Sequence, residues 1–344
     1  MKARSNIKDI ALRAGVHPST VSRVLNPATR SMVSEALAED ILRIAAELGY
    51  RRNPLASGLR TRKTFTVGII VPDLTNPVFP PIVRGAERTL DAEGYIAILA
   101  DSGSRERSEG EIIENMRARD VDGLILATAK RRDPVIDACV EQGIPLVLVN
   151  RTVSQHNVAA VINDDELGIG LALTHLIALG HRAVAYIGGP QSTSTGYVRY
   201  HAFMQSAKQS GLKSDRALLV NATAFTEPAG AEALEQLFAT QKPFTAVLTA
   251  NDLLALGCYD ALKARGLRCP EDVSVTGFND MPFVDRFDPP LTTLHIPHDE
   301  LGVQAARLLL ERIENPETPA KQLRLKPRLI VRGSTSRPTP GRSR

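Results

Sequence analysis

No stretch of the chain approaches the roughly eighteen consecutive apolar residues that a membrane-spanning helix needs. The start, MKARSNIKDIALRAG, is charged and lacks the apolar core of a secretory signal, which points to a cytoplasmic protein. Only three cysteines occur, Cys139, Cys258 and Cys269, far apart and without CxxC spacing. That excludes a disulfide framework and suits structural thiols in a reducing compartment. Catalytic signatures are missing too: there is no GxSxG, HExxH, Walker-type loop, or GxGxxG after the first strand. The seven histidines, among them His175, His181, His295 and His298, show no metal-ligand spacing. With no nucleophile, acid–base pair or metal set, neither an enzyme nor a cofactor is expected. Gly188-Gly189-Pro190 either cradles a phosphate or turns a strand into a loop. Heptads are absent, so no coiled coil is expected.

What is present is a soluble, globular composition, 43% hydrophobic and 23% charged, over 344 residues. That length exceeds one ordinary core and implies two or three domains. The net charge of +4 conceals an asymmetry: residues 1–63 hold twelve Lys and Arg against five Asp and Glu, a surplus of +7. A basic head on a mildly acidic body is the layout of a polyanion binder, although a solvated basic face would look the same.

Residues 6–26 read NIKDIALRAGVHPSTVSRVLN. Asn6 can cap a helix, with Asp9 three positions on in a weakened capping box. Ile7, Ile10, Ala11 and Ala14 form one apolar face. Gly15 suits a left-handed helix terminus, and Pro18 suits the first position of a second helix. Val21, Val24 and Leu25 form the buried face of that helix, while Ser19, Ser22, Arg23 and Asn26 point outward. A third helix over Ser34–Leu48 supplies Leu37, Ile41, Ile44, Ala45 and Leu48, and Gly49 ends it. Small Ala11, Gly15 at the turn and Val21 in the angle make a helix-turn-helix, whose second helix offers its N-terminal side chains to major-groove base edges.

The run Gly15-Val16-His17-Pro18-Ser19-Thr20-Val21-Ser22-Arg23-Val24-Leu25-Asn26 resembles the recognition segment of the LacI/GalR family of transcription regulators. Gly49-Tyr50 followed by Asn53-Pro54-Leu55-Ala56-Ser57-Gly58-Leu59-Arg60 resembles its hinge helix. The resemblance implies a hinge that orders on the operator, pairs with its twin in the minor groove and levers base steps apart with Leu59, the unstacking offset by contacts the bend permits. As a DNA-contacting set it implies Asn6, Pro18, Ser19, Thr20, Ser22, Arg23, Asn26 and Leu59. Two residues depart from the pattern. His17 stands where relatives carry a small N-cap, so the cap is weaker or the imidazole faces phosphate. Gly58 disfavours a hinge helix by about 1 kcal/mol relative to alanine, and a hinge disordered without DNA is expected.

From Phe65 onward, short apolar runs alternate with amphipathic stretches. Candidate strands are Thr66–Val71, Tyr95–Ala100, Gly123–Ala127, Pro145–Val149, Ala183–Gly188, Ala246–Thr249 and Val273–Gly277. Little alternation within them predicts strands covered on both faces, joined by helices into parallel sheets. Resemblance to the same family extends here. It is carried by Val71-Pro72-Asp73-Leu74-Thr75-Asn76-Pro77-Val78-Phe79, Leu179-Gly180-His181-Arg182, Tyr186-Ile187-Gly188-Gly189, Ala250-Asn251-Asp252, Gly277-Phe278-Asn279-Asp280 and Pro289-Pro290-Leu291-Thr292-Thr293. The fold class is therefore a small all-α helix-turn-helix head plus an α/β two-lobed periplasmic-binding-protein-like domain with two doubly wound parallel sheets.

The expected organisation is a DNA-binding domain over 1–50, hinge and linker over 51–63, and an effector-binding and dimerisation domain over 64–335. Its N-lobe takes about 64–161 and 293–323, and its C-lobe about 162–292 and 324–335. Residues 336–344 are expected to be a disordered tail. The resemblance implies an effector site of Phe79, Arg199, Phe225, Asn251 and Asn279. The phenylalanines would give flat faces, Arg199 a cationic fork, and the asparagines hydrogen bonds. Asp164 is a further candidate; with Asp165 it would equally suit a solvated helix N-terminus. Asn279 stands where many relatives have an acid, so a sugar does not follow.

The expectation is a sequence-specific DNA-binding repressor, homodimeric on a pseudo-palindromic duplex and controlled by a small-molecule effector such as a sugar or other polar metabolite. A ligand carrier and an enzyme are the rivals. Only the regulator would prefer an operator.

Overall fold

A computed structural model describes residues 6–50, 63–103, 108–155, 157–212 and 215–339. The chain divides into two compact units, 1–64 and 65–344. The expected hinge, Leu59 included, lies outside the described residues.

The first unit contains helices α1 (Ile7–Ala14), α2 (Pro18–Leu25), a short α3 (Pro27–Arg30) and α4 (Glu35–Glu47). Asn6 and Asp9 form the full reciprocal box. Asn6 Oδ1 accepts from Lys8 N and Asp9 N at 2.8 and 3.2 Å, and Asp9 Oδ2 accepts from Asn6 N at 2.8 Å. Gly15 closes α1 at φ +63°, a conformation that costs glycine nothing. Ile10, Ala11, Val21, Val24, Ala38, Ile41, Ile44 and Ala45 bury one core, and the small Ala11 keeps α1 and α2 close. Of the two readings of His17, a cap is present: its Nδ1 accepts from Ser19 N at 3.2 Å. The short α3 was not foreseen. It satisfies the end of α2, with Thr29 Oγ1 donating to Arg23 O and Arg30 Nε to Val24 O, each at 3.0 Å.

The second unit contains two parallel sheets. The first has order β11-β5-β4-β3-β1-β2, from β1 (Thr66–Val71), β2 (Ile96–Asp101), β3 (Gly123–Leu126), β4 (Leu146–Val149), β5 (Ala160–Asn163) and β11 (Gln322–Leu325). Alternate side chains serve opposite faces. Val67, Ile69 and Val71 face the core shared with α5 (Phe79–Ala92) and α12 (His298–Glu314). Ile70, Leu124 and Leu148 instead join Ile112, Ile113 and Met116 of α6 (Glu109–Arg117) and Ile136 of α7 (Pro134–Glu141). The second sheet has order β7-β6-β8-β9, from β6 (Val184–Gly188), β7 (Leu219–Asn221), β8 (Ala246–Thr249) and β9 (Ser274–Thr276). Its helices are α8 (Asp165–Ala178), α9 (Ser194–Gln209), α10 (Glu227–Ala239) and α11 (Asp252–Ala264).

The chain passes from one sheet to the other between β5 and α8. It returns through β10 (Thr293–His295), which pairs antiparallel with β12 (Arg328–Ile330), the strand that follows β11.

Three expectations need correction. Strand β2 is not covered on both faces: it is an edge strand with Ile96 67% and Leu99 42% exposed. Strands β5, β7, β10, β11 and β12 went unforeseen. The 336–344 tail is not free from its first residue: Ser336 N donates to Ser274 Oγ at 3.1 Å, its carbonyl meets His181 Nε2 at 2.9 Å, and Thr339 Oγ1 reaches Glu271 O. Residues 340–344 lie outside the described residues. Cys139 and Cys258 are buried, and burial pushes the thiols of Cys139 and Cys269 up to about 11 and 12.

Candidate functional site

In the head, Ser19, Ser22 and Arg23 lie exposed along the outer side of α2, with Asn6 exposed at the start of α1. Pro18, Thr20 and Asn26 are half-buried. Two of these positions also hold the scaffold: Pro18 is the first residue of α2 and Asn6 caps α1. His17 Nδ1 lies 2.8 Å from Ser19 Oγ as well as capping the helix, so it orients the serine hydroxyl. The charges sort themselves. Glu47 holds Arg13 at 2.8 Å and Arg43 at 2.5 Å, and Asp40 takes the other arm of Arg43. Asp9 is spent in the capping box. Arg23 has no ion-pair or hydrogen-bond partner for its guanidinium among the described residues, which leaves a free fork on the polar face of α2.

In the second unit, a cleft of about 340 Å³, counting its open mouth, lies between the two sheets. It gathers Phe79, Arg199, Phe225, Asn251 and Asn279 together with Asn76, Val78, Asn150, Arg151 and Thr195. Phe79 begins α5, Asn251 caps α11 and Arg199 projects from α9, so helix starts and strand ends converge there, as they do in open α/β sheets. Asn150 and Asn279 hold positive φ, 64° and 119°, a strained backbone that concentrates at ligand sites. The loop Gly188-Gly189-Pro190 is a turn packed under the Phe225 ring, which a Cβ on Gly189 would strike.

Arg199 is only partly the fork that was expected. It is 3% exposed, its Nε and Nη2 lie 3.0 and 2.9 Å from Asp165 Oδ1, and its Nη1 donates to Ala250 O at 2.6 Å. Its guanidinium also stacks over Phe278, 3.7 Å from the ring centre. Most of its donors are therefore committed within the protein. Asp164 is corrected: it does not line the cleft but caps α8, its Oδ1 accepting from Leu167 N at 3.1 Å.

Arg151 was missed. Burial lowers its pKa to about 10, opposed by Glu109 and reinforced by Arg199, so it remains protonated near neutrality. Nothing in a single sequence marks one arginine in a loop after a strand as part of a cleft wall. The Asn150-Arg151 pair at the end of the β4 run was the available signal.

Contacts cross the mouth of the cleft. Arg131 N donates to Ser192 O at 2.8 Å, its guanidinium sits 3.5 Å from the centre of the Tyr197 ring, and Thr152 N donates to Ser194 Oγ at 2.9 Å. Together they hold the lobes closed. Among the described residues no group of His, Cys, Asp and Glu could hold a metal ion, and no helix is long and apolar enough to cross a membrane.

Comparison with known proteins assigns residues 6–53 to the bacterial regulatory proteins of the lacI family and residues 173–335 to a periplasmic binding protein-like domain. The HTH-type transcriptional repressor CytR of Escherichia coli (strain K12) is 31% identical over 335 residues, 96% of each chain. Among solved structures, a transcriptional regulator CelR–cellobiose complex is 33% identical with a TM-score of 0.73, covering 96% of this chain and 100% of that one. The lac repressor dimer bound to operator and the anti-inducer ONPF is 27% identical with a TM-score of 0.85, covering 97% and 100%. These relatives are regulators rather than enzymes, and they match both units at once. The chain is a DNA-binding transcription regulator with an effector-binding body, and it belongs to the lacI family of bacterial regulatory proteins.

Proposed function

We propose that the chain is a cytoplasmic repressor that binds a pseudo-palindromic operator as a homodimer, with an affinity set by a small molecule held in the cleft. The carrying observation is the pairing of a helix that exposes Ser19, Ser22 and an unpaired Arg23 with a second unit whose two lobes close on a polar cavity. A lone head reads few base pairs, so two heads on a two-fold site supply the missing specificity. The lac repressor structure is a dimer on its operator, which supports the same assembly here. The CelR structure holds cellobiose, which supports a sugar or other polar metabolite as the effector.

The base-facing set is Ser19, Thr20, Ser22, Arg23 and Asn26, with Asn6 and Pro18 positioned toward the backbone. Leu59, in the stretch whose sequence resembles the family's hinge, is the minor-groove lever. The effector set is Phe79, Arg199, Phe225, Asn251 and Asn279. Ligand acts only by binding one lobe arrangement better than the other, and it biases DNA affinity by that difference.

The test is selection of duplexes from a random pool by the purified full-length chain. Enrichment of a two-fold-symmetric sequence is expected. An unenriched pool, with and without added metabolites, overturns the reading.

A further inference from the structure

Most of the amide oxygens that line the cleft already accept a hydrogen bond within the protein, which biases the cleft toward donation. Asn76 Oδ1 already accepts from Val78 N at 3.1 Å, Asn251 Oδ1 from Leu254 N at 2.9 Å, and Asn150 Oδ1 from Asn163 Nδ2 at 3.3 Å. Backbone donors fix the first two amides, so their Nδ2 groups are what remains for a ligand. No carboxylate lines the cleft, because Asp165 lies behind Arg199 and is consumed by it. The Thr195 hydroxyl is shared with Thr193 Oγ1 at 3.3 Å, and the Asn279 amide makes no side-chain hydrogen bond among the described residues. A neutral sugar, whose hydroxyls donate as often as they accept, would leave many of its donors unmatched here, and unmatched buried donors are costly.

Arg151 adds a charge to this bias. Its Nη1 reaches Thr128 O only at 3.4 Å, its Nε is fully buried with no partner, and it has no ion pair among the described residues. The acid whose charge acts on it, Glu109, takes a hydrogen bond from Thr128 and makes none with the guanidinium among the described residues. A half-buried arginine whose Nε is sealed without a partner, at the wall of a cleft lined by amide donors, calls for an anion.

We infer that the effector is anionic, carrying a carboxylate or a phosphate monoester that seats against Arg151 while the asparagine amides donate to its remaining oxygens. This rests on the cleft being the effector site, as proposed above. A sugar acid and a sugar phosphate share the required chemistry, and the experiment separates them.

Full-length chain is titrated calorimetrically with glucose, glucuronate, glucose 6-phosphate and inorganic phosphate at constant ionic strength, with thermal shift read in parallel. At least one anion is expected to bind about tenfold or more tightly than glucose and to raise Tm. Preference for glucuronate identifies a carboxylate effector, and preference for either phosphate identifies a phosphorylated one. Arg151→Gln is expected to remove the preference, and Arg151→Lys, which keeps the charge without the fork, to retain part of it. Anions held by the basic head would be unaffected by either change. The inference is overturned if glucose binds as well as every anion, if no anion exceeds a sodium chloride control, or if Arg151→Gln keeps the preference. Duplex selection on the same preparation tells this failure from failure of the regulator reading: enrichment without anion preference refutes only the effector class.

Discussion

Arg199 Nε and Nη2 converge on a single carboxylate oxygen of Asp165, at 3.0 and 2.9 Å, and so tie α9 to α8 beneath the cleft. Both side chains are nearly sealed, 3% and 9% exposed. Burial pushes the Asp165 carboxyl up while Arg199 pulls it back, so each partner is tolerated because of the other. Asp165→Asn leaves a buried guanidinium without its counter-charge and is expected to cost about 3–5 kcal/mol of stability, as breaking buried pairs does. The double variant Asp165→Asn/Arg199→Gln is expected to lose less than the sum of the two single losses. Denaturant unfolding of the four proteins checks this, and strictly additive losses would show that the pair is not coupled.

Asp252 and His298 set opposing pH dependences. Asp252 is fully buried, and desolvation raises its pKa to about 6, although Thr293 Oγ1 at 2.5 Å and Met281 N at 2.8 Å hold its oxygens. The folded state thus keeps a proton that the unfolded state has lost. Its stabilisation is complete below about pH 4 and disappears as pH rises through 6.

His298 is lowered to about 4 by burial, with His295 and Arg199 reinforcing and Asp280 opposing. Its contribution is complete above about pH 6.5 and disappears as pH falls through 4. Each shift corresponds to roughly 3 kcal/mol, so between pH 4 and 6 the two slopes largely cancel. Relative to wild type, Asp252→Asn is expected to gain stability as pH rises across that window, and His298→Gln to lose it. Unfolding midpoints at pH 4.5, 5.2 and 6.0 measure both, and slopes of the same sign in the two variants would contradict the assignment.

How far such features were legible depends on whether a local rule marks them. The head was readable because each of its devices is local: the Asn6–Asp9 box, Gly15 at a left-handed terminus, Pro18 at a helix start, and Val21 at the right spacing to fill the angle. Strands β1 and β8 announce themselves as apolar runs. Strands β10 and β12 span three residues each, Thr-Leu-His and Arg-Leu-Ile, and exist because they pair with each other at the return between sheets. Arg151 and the commitment of the Asn150 oxygen depend on partners distant in sequence, Thr128 and Asn163, and no pattern in one sequence encodes them. Imidazole is a rare cap, and only geometry shows the His17 Nδ1 accepting from Ser19 N.

Arg23 is the exposed cation on the outer face of α2 that no acid among the described residues claims, whereas Arg13 is bound to Glu47 across the head. Arg23→Ala is expected to cost about 1–3 kcal/mol on the selected operator and to relax preference at one base pair in each half-site, because a bidentate fork discriminates bases at that magnitude. Repeating the duplex selection with the variant measures it. A uniform loss across sequences, with a salt slope about one unit shallower, would assign Arg23 to a phosphate instead.

The unclosed edge of the first sheet supports the last prediction. Strand β2 pairs with β1 alone and leaves Ile96 and Leu99 67% and 42% exposed, on opposite faces of an edge that offers unpaired backbone groups. Monomeric proteins blunt such edges with charge or cover them. Neither residue is charged, and a second copy of the chain is the cover that the proposed homodimer provides. Ile96→Lys and Leu99→Lys, alone and together, are expected to shift the sedimenting species from dimer toward monomer and to weaken binding to a two-fold operator at least about tenfold. Binding to an isolated half-site should change little. Neither residue lines the cleft, so ligand titrations on the variants should match wild type. A double variant that still sediments as a dimer would move the interface to another face of the second unit.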